Sequence, residues 1–106
     1  MAATLREDAS MHRLWYDLRN QSLFEESFRD DVLDIDQSLE RMIWRVVGLF
    51  TELVGSSPAV SPSMAYALFD GLFQQALLRC LSGCESAAAD LKASVAQLLD
   101  QLVVSV

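Results

Sequence analysis

The chain has 106 residues, 52% apolar and 22% charged, with four Gly and two Pro; this suits one domain spanning 1–106 with a real core, leaves no room for two, and makes disorder a poor reading. The net charge is −7. Residues 21–40 set Glu25, Glu26, Asp30, Asp31, Asp34, Asp36 and Glu40 against Arg29 alone, which is −6 of that total, so the chain lacks the basic footprint that gripping nucleic acid requires.

Met1–His12 carries Arg6, Glu7 and Asp8 where the apolar stretch of a secretion signal would sit. The uncharged stretch Leu53–Phe69 is broken by Gly, Ser and two Pro, so no membrane span is expected. Cys80 and Cys84 are four positions apart, a spacing of one helical turn that a disulfide would distort. Reduced thiols in a cytoplasmic protein are the simpler expectation.

Apolar spacing predicts an all-α fold of four to five helices in an antiparallel bundle. Leu5, Met11, Leu14, Trp15 and Leu18 suit one face of a helix over 4–21. From Phe24 through Phe28, Val32, Ile35, Leu39, Met42, Val46 and Leu49 to Leu53, apolar residues recur at intervals of three or four. Ser22 and Asp30–Asp31 are acceptable N-caps, so a short helix over 23–29 and a long one over 31–54 are expected. Gly55-Ser-Ser-Pro58 stops the long helix. Ser61-Pro62 reads as an N-cap with proline at the first helical position, opening a helix that Gly83 ends. Glu85 or Ser86 opens the last helix, whose stripe is Leu91, Val95, Leu98, Leu99, Leu102 and Val106. Nothing alternates with period two for long enough to suggest a strand.

Gly71 sits in mid-helix, where glycine costs about 1 kcal/mol relative to alanine. Close approach of another helix would explain it. The last two helices also carry more apolar residues than one buried face needs, and a homodimer interface is the simplest place to hide the surplus.

Chemistry is sparse. His12 is the only histidine, which excludes a di-iron bundle site, and two cysteines are too few for structural zinc. An acidic run is usually a solvated face, and no phosphate-binding glycine loop follows a strand. No enzyme, metal or cofactor is expected. Trp15, Tyr16 and Arg19 lie within about one turn of each other near His12, and Trp44 and Met42 project from the long helix. Aromatics and methionines are what small-molecule pockets between helices use, although such residues are more often core.

The phrase Leu14-Trp-Tyr-Asp-Leu-Arg19, running into Leu23-Phe-Glu-Glu-Ser-Phe-Arg29-Asp, resembles the fifth helix and following turn of the tetracycline-repressor-like (TetR) family of bacterial transcriptional regulators. Ser61-Pro-Ser-Met-Ala-Tyr-Ala-Leu-Phe-Asp-Gly71-Leu-Phe-Gln-Gln-Ala-Leu-Leu78 resembles the eighth helix, and Ala87–Leu102 the ninth. The resemblance covers nearly the whole chain and implies an effector-sensing and dimerising domain. Helices at 61–82 and 86–104 would pair with their copies in a four-helix dimer interface through Ala67, Asp70, Gly71, Gln74, Leu78, Leu91, Val95, Leu98 and Leu102. Helices at 4–21 and 31–54 would wall a cavity for a small, largely apolar effector, lined by Met11, Trp15, Arg19, Met42 and Trp44. The family's helix-turn-helix DNA reader and linking helix are absent, so DNA binding is expected only of a longer parent. The rival reading is a free-standing helical dimer that acts through protein partners without a ligand.

Overall fold

A computed structural model describes residues 5 and 7–104 of the chain. The described residues are all-α, with four helices: α1 (Ala9–Gln21), α2 (Arg29–Leu53), α3 (Pro62–Leu81) and α4 (Ala87–Gln101). A 3-10 turn, Glu26–Phe28, leads into α2 where a short helix over 23–29 was expected. The expected helix start at residue 4 and the stripe residue Val106 lie outside the described residues. No described helix is long and apolar enough to cross a membrane.

The helix ends follow local rules. Ser61 Oγ accepts from the Met64 backbone N–H at 3.2 Å, and Pro62 occupies the first helical position, where a missing N–H breaks no bond. Ser61→Ala is expected to cost about 1 kcal/mol in urea unfolding, the ordinary value of a helix N-cap. Gly55 and Gly83 adopt φ of 69° and 88°, the left-handed region that other residues avoid. Each sets two reversed bonds: Ser56 N–H to Thr51 O at 2.9 Å with Gly55 N–H to Glu52 O, and Cys84 N–H to Arg79 O at 3.0 Å with Gly83 N–H to Cys80 O. Cys80 is thus within α3 and Cys84 beyond its end, so the expected one-turn stacking of the two is not found; both are free thiols. Neither candidate cap serves α2, which is preceded by Phe28 and has Asp30 and Asp31 in its first turn. There the carboxylates face the positive end of the helix dipole. At α4, the Ser86 hydroxyl donates to Asp90 instead of capping.

Two small clusters form the core, and α3 passes through both. Phe73, Ala76 and Leu77 pack with Leu5, Ala87 and Leu91; Ala65, Tyr66 and Phe69 pack with Ile43, Val47 and Leu102. The end of α4 is pinned to the loop after α2, with Ala59 N–H on Leu102 O at 2.7 Å and Val104 N–H on Ser57 O at 3.0 Å.

The chain is a thin slab of 45 × 34 × 17 Å with a radius of gyration of 14.9 Å, against about 13 Å for a compact chain of this length. A slab 17 Å thick leaves little interior, and among the described residues the exposed large apolar side chains outnumber the buried ones. Two expected stripes are only partly inside: Leu5 and Val32 are buried and Trp15, Phe28 and Leu39 half-buried, while the rest face out. In α1, Met11, Leu14 and Leu18 are exposed while His12, Tyr16 and Arg19 turn inward. In α2, Val32 and Leu39 join Ile43, Val47 and Thr51 toward the core, whereas Ile35, Met42, Val46, Leu49 and Leu53 form an open flank.

Candidate functional site

The polar interior of the slab gathers where α1, α2 and α3 meet. On α1, Tyr16 and Arg19 are three residues apart and share a face. On α3, Asp70 lies in the apolar run Ala67-Leu-Phe-Asp-Gly-Leu-Phe73, four residues from Tyr66 and Gln74. Asp36 comes from the first half of α2.

Arg19 holds the cluster together. Its Nη1 donates to Asp70 Oδ2 at 2.5 Å and its Nη2 lies 3.3 Å from Asp36 Oδ1, so one guanidinium spans carboxylates on two helices. Asp70, with 10% of its side chain exposed, also accepts from the Tyr16 hydroxyl and the Gln74 amide, each at 2.8 Å. The Tyr66 hydroxyl donates to Asp36 at 2.8 Å, and the Arg19 guanidinium carbon stands 5.9 Å from the Tyr66 ring centroid. His12 packs edge-on against Phe73, with centroids 4.7 Å apart.

The electrostatics make the tyrosines donors and nothing more reactive. Burial, then the hydrogen bond to Asp70 and its charge, raises the Tyr16 pKa far above its ordinary value. Burial, the hydrogen bond to Asp36 and the charges of Asp70 and Asp36 do the same to Tyr66. For Arg19, burial works against the charge, but the Asp70 hydrogen bond and charge, with Tyr66 and Asp36, outweigh it and raise the pKa. A phenol that loses its proton less readily in the folded chain than in the unfolded one contributes stability that is complete below the unfolded value of 10.0. That contribution is lost as pH rises through the window above it. Wild-type unfolding free energy should therefore fall as pH rises above about 10, with a shallower fall in Tyr16→Phe; equal slopes in urea titrations would contradict the assignment.

The residues expected to line an effector cavity do not converge. Met11 and Met42 are exposed on the open flanks, at 72% and 50%. Arg19 is committed to its two carboxylates. Trp44, two residues from Met42 and so roughly 200° around the helix, packs against the Ile43–Val47 cluster. Trp15 is half-buried, and its indole Nε1 is enclosed without a hydrogen-bond acceptor among the described residues. A groove of about 320 Å³ opens instead between α1 and α3, walled by Arg13, Tyr16, Asp17 and Asn20 against Gln74, Leu77, Leu78 and Leu81.

The residues expected in a dimer interface separate into two sets. Ala67, Gly71, Gln74 and Leu78 are exposed on α3. Leu91 and Leu102 are 3% and 2% exposed and belong to the chain's own core, with Val95 and Leu98 packed beside them. The α4 stripe is therefore spent on α3 of the same chain, and Asp70 turns inward to Arg19. A Cβ added at Gly71 would meet nothing within 4 Å; none of the described helices makes the close approach that its presence suggested. Sequence reasoning did not single out Asp36 or Tyr66, and it took Asp70 for an interface residue. The readable signal was Asp70, a lone carboxylate in an apolar helix, which needs a buried partner.

No family model, no curated protein and no solved structure matches this chain.

Proposed function

We propose that this chain is the effector-sensing and homodimerisation domain of a TetR-like transcriptional regulator, in which a small, largely apolar ligand controls DNA binding by a longer parent protein. The observation that carries the reading is the outward side of α3. Between Pro62 and Leu78 the only charged residue is Asp70, and its carboxylate is turned inward. Met64, Leu68, Gly71, Gln75 and Leu78 are left facing solvent. In a chain of which 22% is charged, a helix face without charge, on a slab this thin, supports burial against a second copy. Gly71, with open space above it, would then permit the close helix approach that the monomer does not use.

The sensing half is supported by the open flanks of α1 and α2. The Arg19–Asp36 pair links these helices where Leu18 and Ile35 are the adjacent residues. The enclosed Trp15 N–H, without an acceptor among the described residues, fits a site that a ligand completes. The test is thermal unfolding of the wild type and Met42→Asp with a panel of small apolar compounds. Compounds that raise the wild-type melting temperature, with the effect lost in Met42→Asp, support sensing. A panel that shifts neither protein contradicts it. That result favours the second reading, a helical dimer acting through protein partners, which the openness of the α2 flank (Leu53 is 86% exposed) would suit.

A further inference from the structure

We infer that Arg19 controls self-association from outside the interface, through Asp70 and Gln74. The inference rests on the outward face of α3 being the dimer contact and adds how that contact is regulated. Asp70 Oδ2 accepts both Arg19 Nη1, from α1, and Gln74 Nε2, from its own helix. Gln74 is exposed, one turn from Leu78 on the side of α3 that would meet the second copy. The same carboxylate therefore anchors α1 from within and orients an amide at the edge of the contact face.

Its charge is balanced by Arg19 alone among the described residues, since the remaining bonds to Asp70 come from the neutral Tyr16 hydroxyl and Gln74 amide. When α1 shifts and takes Arg19 and Tyr16 with it, Asp70 keeps only Gln74. An uncompensated carboxylate then lies under a face that must be desolvated to pair, and Gln74 is drawn toward it. Both effects oppose association. A ligand that unseats α1 would loosen the dimer by this route, and a ligand that seats it more firmly would tighten it. By linkage, dimerisation alters the ligand's affinity by the same factor.

Four proteins test this without a ligand: the wild type, Arg19→Met, Tyr16→Phe and Arg19→Met/Asp70→Asn. Each is checked for helix content by circular dichroism, and its dimer dissociation constant is measured by sedimentation equilibrium. Arg19→Met is expected to raise the constant at least ~10-fold, within the usual span of coupled sites. Tyr16→Phe, the gentler change, should raise it ~2- to 5-fold, at or below the lower end of that span. The added Asp70→Asn should recover most of the loss, because a neutral amide needs no cation. Folded Arg19→Met and Tyr16→Phe proteins with wild-type constants would overturn the inference while leaving the dimer intact. Should Arg19→Met fail to fold, Tyr16→Phe decides alone. A monomeric wild type would overturn the dimer reading, and this inference with it.

Discussion

Phe69→Ala is expected to cost about 3–5 kcal/mol, the range for removing a fully packed aromatic ring. Phe69 is 2% exposed and lies where α2, α3 and the end of α4 converge, among Ile43, Val47, Ala65, Tyr66 and Leu102. Those neighbours come from three separate stretches of chain, so collapse into the void would need three backbones to move. Domains of this size have only about 5–15 kcal/mol to lose, and a slab this thin has few other large side chains to share the load. The variant should be largely unfolded at moderate urea, well below the wild-type midpoint. Leu49→Ala is the control: Leu49 fits the apolar period of α2 as well as any residue of that helix, yet it is 58% exposed. Its cost should stay within about 0.5 kcal/mol, as for other surface changes. Similar midpoint shifts in both variants would mean that the inward face of α2 has been misassigned.

Asp70→Ala should be the most damaging polar change, at about 2–3 kcal/mol. The value is taken from hydrogen bonds to charged groups and from the lower part of the range for breaking buried ion pairs, because the Arg19 side chain is still 30% exposed. The substitution removes the acceptor of Tyr16, Arg19 and Gln74 together and leaves Arg19 with Asp36 at 3.3 Å. The loss comes mostly from the partners left behind. Replacing both ends, in Arg19→Met/Asp70→Leu, should accordingly cost less than Asp70→Ala by itself. A double variant less stable than the single one would show that the cluster contributes net attraction beyond its own desolvation.

Local grammar made the helices readable. Ser61-Pro62, Gly55 and Gly83 mark ends through backbone geometry that depends on residues a few positions away, and α3 runs Pro62–Leu81 as that grammar implies. The inward faces were not readable, and α2 shows why. Its residues at 35, 42, 46, 49 and 53 keep a helical period as well as those at 32, 39, 43, 47 and 51 do, and the second set is the one buried or half-buried. A periodic pattern identifies a face without saying what packs on it. In α1 the inward choice went to His12, Tyr16 and Arg19, against the more apolar stripe, because Phe73, Asp36 and Asp70 wait on other helices. Those partners lie far away in sequence, 51 positions in the case of Arg19 and Asp70, so no local window reveals them. The α4 stripe was recognised as apolar and assigned to a second copy, whereas α3 of the same chain takes Leu91 and Leu102.

The open apolar flanks, the uncharged side of α3 and the inward Asp70 all bear on one claim, that this slab is half of a pair. Molar mass by light scattering after gel filtration tests it most directly, over at least a tenfold dilution, with Gly71→Leu alongside. The wild type is expected at a mass of twice 11.8 kDa, falling on dilution at higher protein concentrations for Gly71→Leu than for the wild type. Open space above Gly71 leaves the monomer fold indifferent to the added side chain, so a weakened dimer would locate the contact. A wild type that runs as a monomer at every concentration would contradict the claim.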